Sequence, residues 1–524
     1  MKRPYYSIFV IILLFCSHSL WAQRNKNTYV DIHVNTTKKP FNSRSISNQY
    51  TIWEPMFHEC GDEAQRSKTA MNNFGDMVHK KSQSNLEAMV HGNVRLSCLN
   101  LSPVEQPFIG TNSVLTDKNK RKTISCIFGV DANQLYLRRT EINYFKDLVE
   151  NINFIKRFEH KPYMINGFEY QLKLMRNKSD IAAISKAKNH MGMAFTVEGG
   201  HALGHSIYIN DDIANLDEYK TLVINNINRL KGAEPLIDGS DIYLDVPVLW
   251  ISLCKSYKNG LGGMANSLGK SQQSIFSKVE GLNGKESKLG IEVIERLLST
   301  KGGRRILIDI KHMSLDFRNR YYKTIERSEI LGDAIPIVCS HCGISGLSKK
   351  NALYKKRDED SKNNNFYLSH WQQNLCSEDI AKIYSSRGLI GISLDKKILG
   401  GALAFAEIKT TFANTTQRRT ACVKLLMANI LTVVKIIRDA SAWDIIAIGS
   451  DFDEMAEPLS AYKTAADIPL LAKDIRQFLQ RPEAILNLFS EEDILELMYG
   501  LSAEQITNKI MSLNAFNFIE RNLP

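Results

Sequence analysis

The sequence predicts an α/β chain whose strands close into a (β/α)8 TIM barrel. Three observations carry this. Short, almost continuously apolar runs alternate with stretches of helical periodicity along most of the 524 residues, the pattern of a parallel sheet covered on both faces. The runs number about eight, the count that closes such a barrel. Polar residues gather just beyond the C-terminal ends of the runs, the face on which barrels build their sites. Neither G-x-G-x-x-G nor a P-loop follows an early strand, which sets a doubly wound nucleotide-binding sheet aside.

Tyr29–Val34 reads as the first strand and runs into His33-Val34-Asn35, where period two puts His33 and Asn35 on one side. Thr37–Gln83 is polar and carries no pattern. Leu86–Val90 predicts a helix, Asn93–Leu101 a second strand, Lys118–Lys122 a basic loop and Leu135–Phe158 one long amphipathic helix. Ser179–Asn189 predicts a helix capped by Ser179. The apolar run Met193–Val197 then drives into Glu198, Gly199-Gly200 and His201. A carboxylate at the tip of a buried strand is costly unless a cation compensates it. Beyond it the alternation is regular: strand Tyr243–Leu253, helix Glu286–Ser299, strand Arg304–Ile310 ending at Lys311-His312, and helix Leu315–Arg327. Strand Ala334–Cys339 ends at Ser340-His341, and a charged, Asn-rich insertion fills Lys349–Asn365. Helix Ser377–Arg387, strand Gly388–Leu394, helix Arg418–Ala440 and strand Asp444–Ile448 follow, the last ending at Ser450-Asp451. Ala465–Leu479, Glu491–Met498 and Ala503–Phe518 predict closing helices. No internal boundary or repeat divides residues 23–524, which read as one domain with a polar insertion near 349–370.

Lys2-Arg3, the apolar run Ser7–Phe15 and Ala22 read as a signal peptide over residues 1–22, so the expectation is export to a periplasmic or extracellular space. Bulky Phe15 argues against lipid attachment at Cys16, and no later run is expected to span a membrane. The formal charge of +11 falls to +9 once Lys2 and Arg3 are set aside. No basic stripe with interleaved aromatics appears, which excludes a nucleic-acid interface. Of the nine cysteines, Cys98, Cys126, Cys339 and Cys422 lie inside apolar runs, where thiols behave as small hydrophobes, so no disulfide framework is expected.

His33, Asn35, Glu198, His312, His341 and Asp451 all fall at strand ends, which a parallel barrel brings to one face. Singly, each has an ordinary structural account as a cap or a rim residue. Together, imidazoles and carboxylates converging on one face suit zinc.

The order of motifs resembles the renal (membrane) dipeptidase family of metallopeptidases, within the amidohydrolase barrels. The resemblance is carried by VEGGHAL at Val197–Leu203, the strand end Asp309–His312, IVCSH at Ile337–His341 and IGSDFD at Ile448–Asp453. Phe366–Ile380, with Trp371, resembles an exported bacterial branch, and the likeness runs from His33 to the C-terminal helices. It implies two zinc ions: Glu198 bridging them, His33 and Asp451 on the first, His312 and His341 on the second. It further implies a dipeptide substrate, a shared water that attacks the amide carbonyl, and Asp451 passing on that water's proton. Homodimers are compatible with this reading. Two positions depart from the family. Asn35 stands where the family has aspartate, so its neutral carbonyl would hold the first metal more weakly. Lys255 stands where the family places a substrate-facing histidine, and there it would bind a substrate oxygen or carboxylate as a point charge. The leading expectation is an exported zinc dipeptidase. The alternative is a catalytically impaired barrel acting as a binding protein because of Asn35 and Lys255. A lactonase or deaminase ranks last, since those barrels open on His-x-His.

Overall fold

A computed structural model describes residues 28–43, 50–56, 82–109, 121, 125, 129–137, 141–210, 216–268, 282, 284–327, 334–349, 366–411, 414–455 and 457–524. The expected signal peptide over 1–22, most of the expected loop Lys118–Lys122 and most of the expected insertion Lys349–Asn365 lie outside them.

Ten strands form one sheet: β1 Tyr29–Val34, β2 Val94–Leu101, β3 Pro162–Ile165, β4 Phe168–Leu174, β5 His190–Glu198, β6 Val248–Ser252, β7 Leu307–Asp309, β8 Val338–Cys342, β9 Leu389–Ile392 and β10 Ile446–Ile448. Eight of them pair in parallel in the order β1-β2-β5-β6-β7-β8-β9-β10. A parallel bridge from Val34 to Phe452, with the Asp451 N–H donating to His33 O at 3.0 Å, joins the last strand to the first. This is the predicted (β/α)8 barrel. Apart from His190, every residue of these eight strands is buried, as expected for runs apolar on both faces.

The register levels the strand ends. Glu198 pairs with Ser252, Ser252 with Asp309, and Asp309 with Val338. Inside the barrel the packing is close enough to require glycine. A Cβ added to Gly391 or to Gly449 would overlap the Ser340 carbonyl oxygen. Opposite the strand ends, the floor is sealed by the C-terminal helix Asn514–Asn522, whose Asn514 Nδ2 donates to Trp443 O and Ile446 O at 2.7 Å each.

Several expectations are corrected. The single helix expected over Leu135–Phe158 is two, Ala132–Leu137 and Tyr144–Lys156, because Asn143 caps the second by accepting from the Lys146 N–H. The helix near Ser179 spans Lys178–Lys186 and is capped by Asn177 in a capping box with Asp180. The strands expected at Tyr243–Leu253 and Ala334–Cys339 are β6 and β8, and His341 lies inside β8. The antiparallel hairpin β3–β4 was not expected; β4 pairs with the first half of β5, and β6 with its second half. Contrary to expectation, the helix Thr415–Ile437 is long and apolar enough to cross a membrane, but 72% of its apolar window is buried in the protein, which accounts for its composition as core. Cys98, Cys254, Cys339, Cys342, Cys376 and Cys422 are buried free thiols.

Away from the strand ends, Arg318 and Asp379 form a buried ion pair at 2.8 Å that ties the helix Leu315–Arg327 to Ser377–Ser385, and the Tyr322 hydroxyl donates to Asp379 at 2.8 Å. Removing one partner strands a buried charge. Asp379→Ala is therefore expected to lower stability by about 3–5 kcal/mol in urea unfolding. A loss below about 1 kcal/mol, the scale of exposed pairs, would show that the pair is solvated. Gly449→Ala, by over-packing against Ser340, is expected to cost about 3 kcal/mol in the same measurement. An unchanged midpoint would mean that the barrel wall can yield there.

Candidate metal centre

Glu198 ends β5, and the chain must turn away at once to leave its carboxylate facing the barrel mouth. Gly199 does this at φ 96°, a left-handed conformation open to glycine, while its N–H donates to Ser252 O at 3.1 Å. A Cβ there would overlap the His201 ring. The carboxylate is 2% exposed, so its charge needs partners, and it has them on both oxygens. Oε1 faces His312 Nε2 at 2.9 Å and His341 Nε2 at 3.4 Å. Oε2 accepts from Asn100 Nδ2 at 2.9 Å and from Lys255 Nζ at 2.8 Å. Burial alone would raise its pKa, but Lys255 and the two histidines outweigh it and hold the carboxyl well below the usual range.

The histidines come from different strand ends. His33, on β1, is 1% exposed, and neither ring nitrogen has a hydrogen-bond partner among the described residues. Its ring lies 3.9 Å, centroid to centroid, from that of His341, and its Nε2 is 3.7 Å from Asp451 Oδ1. His341 is steadied through Nδ1 by Ser340 Oγ at 2.9 Å, and that hydroxyl donates to Asp309 Oδ2 at 2.6 Å. His312 takes the left-handed conformation at φ 65° and has both nitrogens engaged, Nε2 on Glu198 and Nδ1 on Ser267 Oγ at 2.7 Å. Burial is the main cause holding all three imidazoles below their ordinary pKa, His33 at about 4. They are neutral at pH 7, the form that ligates metal.

Donor atoms of His33, Glu198 and His341 lie within 4.8 Å of one another. Two neutral imidazoles and a carboxylate suit a divalent ion such as zinc, and the unpartnered nitrogens of buried His33 fit that use, since buried polar atoms are otherwise paired. The Ser340–Asp309 chain behind His341 is the outer support expected of a ligating histidine.

Asn35 and Asp451 complete the ring of predicted residues. Asn35 Nδ2 donates to Asp451 Oδ1 at 3.2 Å and to Phe452 O at 3.3 Å, and its Oδ1 accepts from Asn100 Nδ2 at 2.7 Å. Burial, then the neighbouring Glu454, Glu198 and Asp395 carboxylates, push the Asp451 carboxyl well above its ordinary range. Lys255 is also present but does more than face a substrate. It is 7% exposed and spans Glu198 and Glu454, 2.7 Å from the latter's Oε1, with Ser102 Oγ as a third partner. Its backbone course is set by Glu105, which accepts from the N–H groups of Ser256 and Tyr257. His201 stands apart, with Nε2 3.0 Å from Pro103 O.

Glu198, Lys255, His312, His341 and Asp451 therefore line one mouth, and His33 and Asn35 lie against them, beside His341 and Asp451 respectively. Sequence reasoning missed Asn100, Ser102, Glu454 and Lys311. Asn100 carries the same signal as the others, a polar residue at the tip of an apolar strand, and Lys311 directly precedes a predicted ligand. The mouth opens on a cavity of about 230 Å³, with Phe108, Ile109, Leu268 and Trp371 on its apolar wall. Lys311 faces this cavity with an Nζ that has no partner among the described residues, although the residue is 1% exposed.

No family model and no curated protein matches the sequence. Among solved structures, the chain is similar to a dipeptidase described as a metallopeptidase of family M19, at 12% identity and TM-score 0.48 over 95% of this chain and 98% of the other. It is similar to the probable dipeptidase PvdM from Pseudomonas aeruginosa, at 12% identity and TM-score 0.48 over 96% and 98%. A metallopeptidase from Rhodobacter sphaeroides, solved with a phosphinate mimic of the dipeptide L-Ala-D-Ala, is similar at 13% identity and TM-score 0.45 over 90% and 98%. At these identities, residue roles are read from this chain's own geometry.

Proposed function

We propose that the chain is an exported, metal-dependent hydrolase that cleaves the amide bond of dipeptides or comparably small peptide-like substrates. The observation that carries this reading is the His33–Glu198–His341 donor cluster, set at the C-terminal ends of barrel strands and open to a cavity. The motif resemblance at Val197–Leu203, Ile337–His341 and Ile448–Asp453 supports the choice of substrate class.

A divalent ion on these donors supplies Lewis-acid polarisation of a carbonyl and a more acidic water. The chain's own groups do the rest. Asp451, oriented by the Asn35 amide and lining the cavity, is placed to take a proton on its carboxylate. Lys311 offers an unpartnered ammonium for a substrate carboxylate, a charge-assisted contact that also aligns the amide. The cavity falls below the ~300–1,000 Å³ typical of drug-sized ligands, which favours a small substrate.

The test is a panel of dipeptides, including those with a D-residue on the C-terminal side, given to purified protein with zinc and again with a chelator. Hydrolysis that the chelator abolishes is expected, and His341→Ala is expected to lower kcat/KM by at least ~100-fold, about 2.7 kcal/mol of transition-state stabilisation. Metal-loaded protein that cleaves no member of the panel would overturn the assignment. Lys311→Met is expected to raise KM more than it lowers kcat. An unchanged KM would remove Lys311 from substrate binding.

A further inference from the structure

Resting on that reading of the site as a metal-dependent hydrolase, we propose that the centre holds one divalent ion, on His33, Glu198 and His341, and that the Lys255 ammonium stands permanently in place of a second.

The two oxygens of Glu198 serve different cations. Oε1 is turned to the histidines. Oε2 is already saturated, with the Lys255 ammonium at 2.8 Å and the Asn100 amide at 2.9 Å. A carboxylate that bridges two ions through its two oxygens needs both of them, and here Oε2 is held by an ammonium and an amide.

The remaining donors of a second ion are also committed. Phe452 O can only accept, so the Asn35 group that faces it, and Asp451 Oδ1 beside it, is the NH2. That leaves Asn35 Oδ1 pointing the other way, where it accepts from Asn100. Asn100 in turn uses the same NH2 to reach Glu198 Oε2, which can only accept. The amide orientations are mutually fixed, and the one oxygen Asn35 offers is neutral and already accepts from Asn100. An aspartate at position 35 would bring a charge and a second oxygen; asparagine brings neither.

Lys255 is held as a resident cation would be. It is nearly enclosed, grips the buried Glu198 carboxylate, the half-buried Glu454 carboxylate and a hydroxyl, and is aimed by the backbone segment that Glu105 fixes.

The experiment is metal counting. The full chain is loaded with excess zinc, desalted and measured by elemental analysis, and cobalt-loaded protein is examined by electron paramagnetic resonance. One ion per chain and the signal of isolated, uncoupled cobalt are expected. The double variant Asn35→Asp with Lys255→His is expected to take two ions per chain and to show spin coupling. Two tightly held ions in the natural chain would overturn the proposal whatever the activity. Should the double variant fail to fold, the natural chain's count and cobalt spectrum still decide. The two readings fail separately: one ion without hydrolysis removes the dipeptidase assignment and keeps the single-ion site, whereas two ions with hydrolysis do the reverse. No bound ion overturns both.

Discussion

Burying the negative charge of Glu198 is the constraint around which the rest of this molecule is arranged. An isolated carboxylate at 2% exposure would be protonated or would unfold its surroundings. Here it is kept ionised by groups from β2, β8 and the loops after β6 and β7, so the barrel must be closed and in register before the charge is tolerable. Stability and chemistry are thus coupled at one side chain. The floor of the barrel, sealed by Asn514, carries no such demand and is built from apolar packing and satisfied backbone carbonyls.

The fold was legible because parallel barrel strands are apolar on both faces and therefore stand out from amphipathic helices. The strand-end residues were legible for the complementary reason: His33, Glu198, His341 and Asp451 are polar residues at the limits of apolar runs, where burial makes polarity expensive. The motif resemblance locates Lys255, but not its bonds. Nothing in LCKS shows that the ammonium reaches back to the tip of β5 rather than out to a ligand, because that depends on where the Glu105 carboxylate pins the following backbone.

What stayed hidden was set by tertiary context. Asn177 and Ser179 are both good helix caps, and the choice between them rests on the Asp180 side chain closing a capping box. The β3–β4 hairpin is short, and its residues are largely exposed at one end, so it lacks the apolar signature of its neighbours. The helix Thr415–Ile437 has a membrane-like composition because the barrel and its outer helices enclose it on most sides, a circumstance invisible to a hydropathy window. Asn100 and Glu454 act through partners remote in sequence, which single-residue reasoning does not supply.

The seam of the barrel has a consequence for how the chain is made. It lies between the first strand and the last, and Asn35 meets Asp451 across 416 residues. Such long-range closure is slow and is reached only after most of the chain entropy has been surrendered. A nascent chain released residue by residue therefore carries seven strands with an open edge until nearly all of it has emerged, and for that interval the edges of β1 and β9 are exposed to any passing strand. The molecule's period of greatest vulnerability to aggregation is its own synthesis.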